Sequence, residues 1–226
     1  TRINYDGYMG FQGIANRVDV LSASEYQKVL NGIIDDGGGN PDQRITDISG
    51  NGTNWQDKIY NNGARVTNHN LSLSGGMEDF KYFTSFNYFQ QAGIIKKSAL
   101  ERYNARVNLN YEPSEKLKTG INVNTSYSKD DYTAHGFGIN YFGGTVQAAL
   151  NYDPTLSVRN EDGEYNKSPY ISLDNPLAIL NDENSYEDTY RTFGTVFGEY
   201  FFVPEFSFKL NLGGDVKNST RDTYVG

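Results

Sequence analysis

From Tyr103 to Tyr111, apolar and polar residues alternate almost without exception. Side chains along a strand repeat with period two, so Tyr103, Ala105, Val107, Leu109 and Tyr111 share one face and Asn104, Arg106, Asn108 and Asn110 the other. The pattern recurs on both sides of this stretch. It predicts strands over 3–11, 66–74, 80–91, 100–111, 117–127, 189–203 and 206–216. In the last of these, Phe206, Phe208, Leu210 and Leu212 alternate with Ser207, Lys209 and Asn211.

Between the strands the pattern changes. Ser22 followed by Glu25 is a capping box, and a helix is expected from there to about Ile34. A second short helix is expected from Asn54 to Tyr60, capped by Thr53 or Asn54. The connections then run long (about 12–64), short (75–79), moderate (93–98), short (112–116), long (130–186) and short (203–205). A Greek-key sandwich gives no reason for long and short connections to alternate. An up-and-down barrel in an outer membrane does, with short periplasmic turns at one rim and longer extracellular loops at the other.

Composition fits that reading. The 226 residues hold 18 Tyr and 13 Phe, and only 37% are hydrophobic. Mean hydropathy is -0.65. No run of about 20 apolar residues exists to form a membrane-spanning helix, a test that a β-barrel does not have to pass. The net charge of -8 argues against a nucleic-acid partner, which needs a basic footprint. With no cysteine there are no disulfides, thiolate nucleophiles or Cys-based zinc sites. The chain starts at Thr1 without a leader, so an excised segment or a removed leader is expected. Seven strands do not close a membrane barrel, for which even numbers from 8 upward are the rule. At about 32 residues per strand, a 22-stranded barrel needs about 700 residues, so the chain is expected to be part of something larger.

The stretch Asn70-Leu-Ser-Leu-Ser-Gly-Gly76, with Lys81-Tyr82-Phe83, Tyr88-Phe89, Gly93-Ile-Ile-Lys96, Arg102-Tyr103 and Arg106-Val-Asn-Leu-Asn110, resembles the early barrel of SusC/RagA-like TonB-dependent outer-membrane transporters of Bacteroidota. Leu21-Ser-Ala-Ser-Glu-Tyr26 is similar to that family's helix after the first strand, and Thr53-Asn-Trp-Gln-Asp57 to its Trp segment. Pro154-Thr155, Asp162-Gly163 and Asn175-Pro176-Leu177 are similar to its long extracellular loop. The resemblance implies import of an oligosaccharide or peptide, energised through TonB and served by a SusD-like surface lipoprotein as lid. It also implies that the plug with its TonB box, the remaining strands and the closing C-terminal strand lie outside this chain.

Catalytic chemistry is not indicated. His69 and His135 have no ligand-spaced partner and read as solvated or hydrogen-bonded. No nucleophile elbow, zinc-protease motif or P-loop lysine is present. The acidic pairs, among them Asp130-Asp131 and Glu187-Asp188, lie in loops or at strand starts and read as solvated. Asn160-Glu-Asp-Gly-Glu164 offers oxygens to a hard cation but lacks the EF-hand pattern, and a plain turn is the simpler reading. No catalytic residue, metal ligand or cofactor is assigned.

The candidate ligand or lid contacts are the aromatics of the long connections: Trp55, Tyr60, Tyr141, Phe142, Tyr152, Tyr165 and Tyr170. Aromatic faces stack on sugars and anchor interfaces, but they equally pack loops together. Strand aromatics such as Tyr88, Tyr103 and Tyr127 are expected on the lipid face or its interfacial girdle. The expected fold is therefore all-β, an antiparallel up-and-down transmembrane barrel segment with partly helical extracellular loops. The alternative is a soluble β-rich carbohydrate-binding module that uses the same aromatics.

Overall fold

The computed structural model describes residues 1–48, 50–132, 144–169 and 173–225. Seven strands form one sheet in chain order: β1 (Arg2–Gln12), β2 (Ala64–Gly76), β3 (Phe80–Ala92), β4 (Ala99–Ser114), β5 (Leu117–Tyr132), β6 (Glu183–Val203) and β7 (Phe206–Val225). Each strand pairs antiparallel with its neighbours in sequence. The helices lie in the two long connections: α1 (Ala23–Asp35) and α2 (Trp55–Ile59) in the first, α3 (Gly144–Asn151) and α4 (Pro176–Asp182) in the second.

Register keeps one set of side chains on one face across the whole sheet. Leu71 pairs with Phe86 and Phe86 with Ala105. Ala105 pairs with Thr125, Val107 with Val123, and Ile121 with Val196. Val196 in turn pairs with Leu212. A one-residue slip would turn every one of these to the opposite face.

Several strand ends differ from the sequence expectation. β6 starts at Glu183 and β7 continues to Val225, where starts and ends near 189 and 216 were expected. The added segments pair Asp188 with Thr220 on one face and Glu187 with Arg221 on the other, so charged and polar side chains fall on both faces there and no apolar alternation marks them. The backbone ladder carries the strands past the apolar band, helped by a 3.0 Å bond between Ser185 and Thr223 and the stacking of Tyr186 on Tyr224. β4 likewise runs through Pro113 to Ser114, shifting the turn expected at 112–116. Proline has no N–H to give, and the register breaks between Tyr111 and Ser114.

The hydrophobic core lies off the sheet. Trp55, Ile59, Tyr60, Ala148, Ala149, Tyr152, Leu173 and Leu180 form one buried cluster from the two helical excursions. The β3–β4 connection joins them at the same end of the sheet: Tyr60 bridges to Ile95, and the Asn61 N–H donates to the Ile94 carbonyl at 2.8 Å.

Candidate functional site

The sheet has two chemically distinct faces. On the first, Ile3, Leu71, Val107, Ile121, Val196, Leu210 and Leu212 form an exposed aliphatic band, with Ile3 as much as 70% accessible. Among the described residues no element covers it. Rings bound it on the side of the excursions. Tyr5, His69, Tyr88, Tyr103, Tyr127 and Tyr190, one on each of β1 to β6, follow one another with centroids 6.2, 6.3, 5.0, 6.2 and 4.6 Å apart.

Their polar tips are anchored away from the aliphatic band. The hydroxyls of Tyr88 and Tyr103 donate to Glu101 at 3.0 and 2.7 Å, and that of Tyr127 to Asp188 at 2.6 Å. His69 Nδ1 shares a 2.8 Å hydrogen bond with the Tyr5 hydroxyl, which makes it a member of the row.

A second aromatic group lies at the other edge of the band. Phe80 contacts Tyr82 and Tyr111, and Phe202 contacts Tyr200 and Phe206. At ~3.4 Å per residue, Tyr190 and Tyr200 on β6 are roughly 34 Å apart along the strand, or about 26 Å in height at the ~40° tilt of membrane barrels. The outward apolar band of such barrels, flanked by aromatic girdles, is about 25 Å tall.

The second face is wet. Asn87 donates to Asn68 at 2.8 Å and Asn104 to Asn124 at 3.0 Å. Arg191 grips Asp215 through two bonds of 3.0 and 2.5 Å, and Lys209 lies 4.6 Å above the Phe197 ring. Exposed pairs of this kind contribute little stability, about 0.2–1 kcal/mol, but they line the face with fixed donors and acceptors.

Above the sheet, the excursions build a platform. Ser22 and Glu25 cap α1 reciprocally, with Ser22 N–H donating to Glu25 at 2.8 Å. These bonds, from the Ser22 hydroxyl first, hold the Glu25 carboxyl below its usual range. Asn54 caps α2, accepting from the backbone N–H groups of Gln56 and Asp57. Trp55 is 2% exposed; its ring meets Tyr152 edge-on at 4.9 Å and its Nε1 donates to the Asp153 carbonyl at 2.9 Å. Thr53 adds a 2.6 Å bond to the Leu156 carbonyl. Gly52 (φ +77°) lets the two excursions touch, since a Cβ there would lie 2.6 Å from the Pro154 carbonyl oxygen. Tyr152 donates to the Asn166 carbonyl at 2.6 Å, and burial pushes its phenol up to about 12.

A cavity of about 740 Å³ opens in this platform. The stretch 19–26, Asn51, Thr53, Asn54, Trp55, the end of α3 and Pro154 line it. Its size falls within the range of small-ligand sites.

Of the aromatics named from sequence, Trp55 and Tyr152 line the cavity, and both belong with Tyr60 to the buried cluster. Tyr165 stands apart and half-buried, with the Arg159 guanidinium 4.1 Å above its ring and its hydroxyl accepting from Asn181 at 2.8 Å. Tyr141, Phe142 and Tyr170, like His135, lie outside the described residues. Asn160–Glu164 forms a tight turn, with Gly163 N–H donating to the Asn160 carbonyl at 3.1 Å. Among the described residues no cluster of three or more His, Cys, Asp or Glu side chains is placed to hold a metal. Asp153, fully buried below Trp55, carried no sequence signal.

No protein-family model matches the chain. Among curated proteins it is 33% identical over 172 residues to TonB-dependent receptor P3 of Formosa agariphila, covering 74% of the chain and 17% of that protein. It is 29% identical over 247 residues to TonB-dependent receptor SusC of Bacteroides thetaiotaomicron, covering 99% of the chain and 23% of that protein. The chain thus spans about a fifth of the length of these relatives. Its fold superposes on the RagAB peptide importer in the closed-closed state with a TM-score of 0.76 at 17% identity, covering 98% of the chain and 28% of that structure's chain. A second RagAB structure gives 0.74. TonB-dependent receptors are outer-membrane β-barrel proteins, not enzymes, and the seven-stranded sheet corresponds to a segment of such a barrel. In sequence and in fold, the chain is a SusC/RagA-like member of the TonB-dependent receptors.

Proposed function

We propose that this chain forms part of the outer-membrane barrel of an active importer that takes up oligosaccharides or peptides, energised through TonB and lidded by a SusD-like lipoprotein. The observation that carries the proposal is the exposed aliphatic band held between two aromatic rows, opposite a polar face. In water so large an apolar surface would drive aggregation; against lipid it is the stable arrangement. The polar face would then line the lumen. The chain contributes strands to a larger barrel, of 22 strands, because the outer edges of β1 and β7 need backbone partners in a membrane.

In this reading the connections 13–63 and 133–182 are extracellular, the short turns are periplasmic, and residues 1–226 form one partial barrel domain. The 740 Å³ cavity is the place for a ligand or lid segment, with Trp55 and Tyr152 in its wall and Tyr60 holding the platform behind them. Tyr165, Tyr141, Phe142 and Tyr170 are further contacts for substrate or lid. The conversion is transport, with no covalent step, catalytic residue or cofactor.

Fractionation and uptake test this reading together. Outer membranes of the source organism, blotted with antibody to 155–168, should show a heat-modifiable band several times the mass of this chain. Loss of TonB should abolish uptake of the substrate. A soluble band of the mass of this chain alone would overturn the proposal and favour a free binding module.

A further inference from the structure

We propose that a second cavity, of about 310 Å³ between residues 44–47 and 153–157, binds a divalent hard cation of the calcium class. The carrying observation is Asp153. Its side chain is fully buried, and Oδ1 accepts from the Thr155 N–H and hydroxyl at 2.8 and 2.7 Å. Among the described residues, Oδ2 has no hydrogen-bond partner. A buried carboxylate oxygen without a partner is costly, and a native fold retains one where an ion or water satisfies it.

The surroundings favour an ion. Arg44, the cation lining this cavity, is engaged with both carboxylate oxygens of Asp35. Asp47 supplies a second carboxylate to the lining. Neutral oxygens come from Thr46, Thr155 and Ser157. Asn166, whose Nδ2 is bonded to Ser157 at 2.8 Å, adds an amide to the lining. Two carboxylates with neutral oxygens and water suit the six to eight oxygen ligands of Ca²⁺, and the low charge count points to affinity in the ~10⁻⁴–10⁻³ M range of extracellular modules. A bound cation would tie the first excursion to the second beside Trp55. The site stands whether or not the protein transports.

The test uses the natural full-length protein, stripped with EDTA and titrated with Tb³⁺, whose luminescence nearby Trp55 and Tyr152 sensitise. A saturable signal displaced by Ca²⁺ is expected, with affinity falling at least tenfold in Asp153→Asn and in Asp47→Asn. Asp47 is exposed, so its variant folds even if Asp153→Asn does not, and it then decides alone. Absence of a displaceable signal, or affinity unchanged in the variants that fold, would overturn the proposal and leave only water in the cavity.

Discussion

Replacing Trp55 by alanine should open the excursions while leaving the sheet intact. The indole is almost fully buried, packs edge-on against Tyr152 and donates to the Asp153 carbonyl. Truncating a buried Trp costs about 3–5 kcal/mol, of which the stranded carbonyl accounts for about 1–3 kcal/mol. A loss of about 4 kcal/mol corresponds to a roughly thousandfold rise in local opening, at 1.4 kcal/mol per decade. The sheet is spared because its strands are held by their own ladders, and the platform meets it chiefly through the Tyr60–Ile95 bridge and α4 against β6. Hydrogen exchange on the purified protein reads this directly. Amides of 53–60 and 145–156 should lose protection by about three orders of magnitude, while those of β3 to β5 and the heat-modifiability of the barrel stay unchanged. Trp55→Phe, which keeps a ring but loses the donor, should fall between. If protection in the excursions is unaltered, or the sheet amides exchange as fast as the excursions, the picture of a loop core independent of the sheet is wrong.

Further predictions address the sheet faces and the platform. Val107 lies midway between Tyr103 and Tyr111, so Val107→Lys should destabilise the barrel in lipid by about 2–4 kcal/mol, whereas Asn108→Lys on the other face should cost little; urea unfolding in lipid vesicles measures both. The cap bonds of Glu25 and the Arg44 pairing of Asp35 lower both folded pKa values, so their contribution to α1 is present above the unfolded carboxylate range near ~4 and is lost as pH falls through the lower folded values. Exchange protection over 23–35 should therefore fall on acidification below about pH 4, and Glu25→Gln should blunt that loss; a pH-independent α1 would refute it. Burial raises Tyr152 to about 12, so the platform keeps this contribution below the unfolded value near ~10 and loses it as pH rises through about 12. Tyr152→Phe should remove the alkaline transition and, by losing the bond to an Asn166 carbonyl that keeps Asn175 as a second donor, destabilise the second excursion by about 0.5–1.5 kcal/mol at neutral pH.

The strand interiors were legible because period-two alternation is a local property enforced at every residue by a sheet with one apolar and one wet face. Phe80 to Gln91 and Leu100 to Tyr111 could be read directly. The α1 start was legible for a similar reason, since Ser22 and Glu25 satisfy each other within four residues. Beyond the apolar band, around Asp188 and Thr220, both faces are polar and the signal vanishes though the ladder continues. The candidate site was legible as a list of residues but not as an arrangement. Trp55 and Tyr152 are almost a hundred positions apart, and nothing local to either says that they touch.

The sequence by itself therefore determined the strand faces, the alternation of long and short connections and the capped helix starts, because each is settled by neighbours a few residues away. Only the tertiary structure decided that the core lies in the excursions, that His69 joins a row of tyrosines, and that Asp153 is buried with one oxygen unpartnered among the described residues. Those features depend on contacts between distant segments, where burial and hydrogen-bond satisfaction are decided by what the rest of the chain brings alongside.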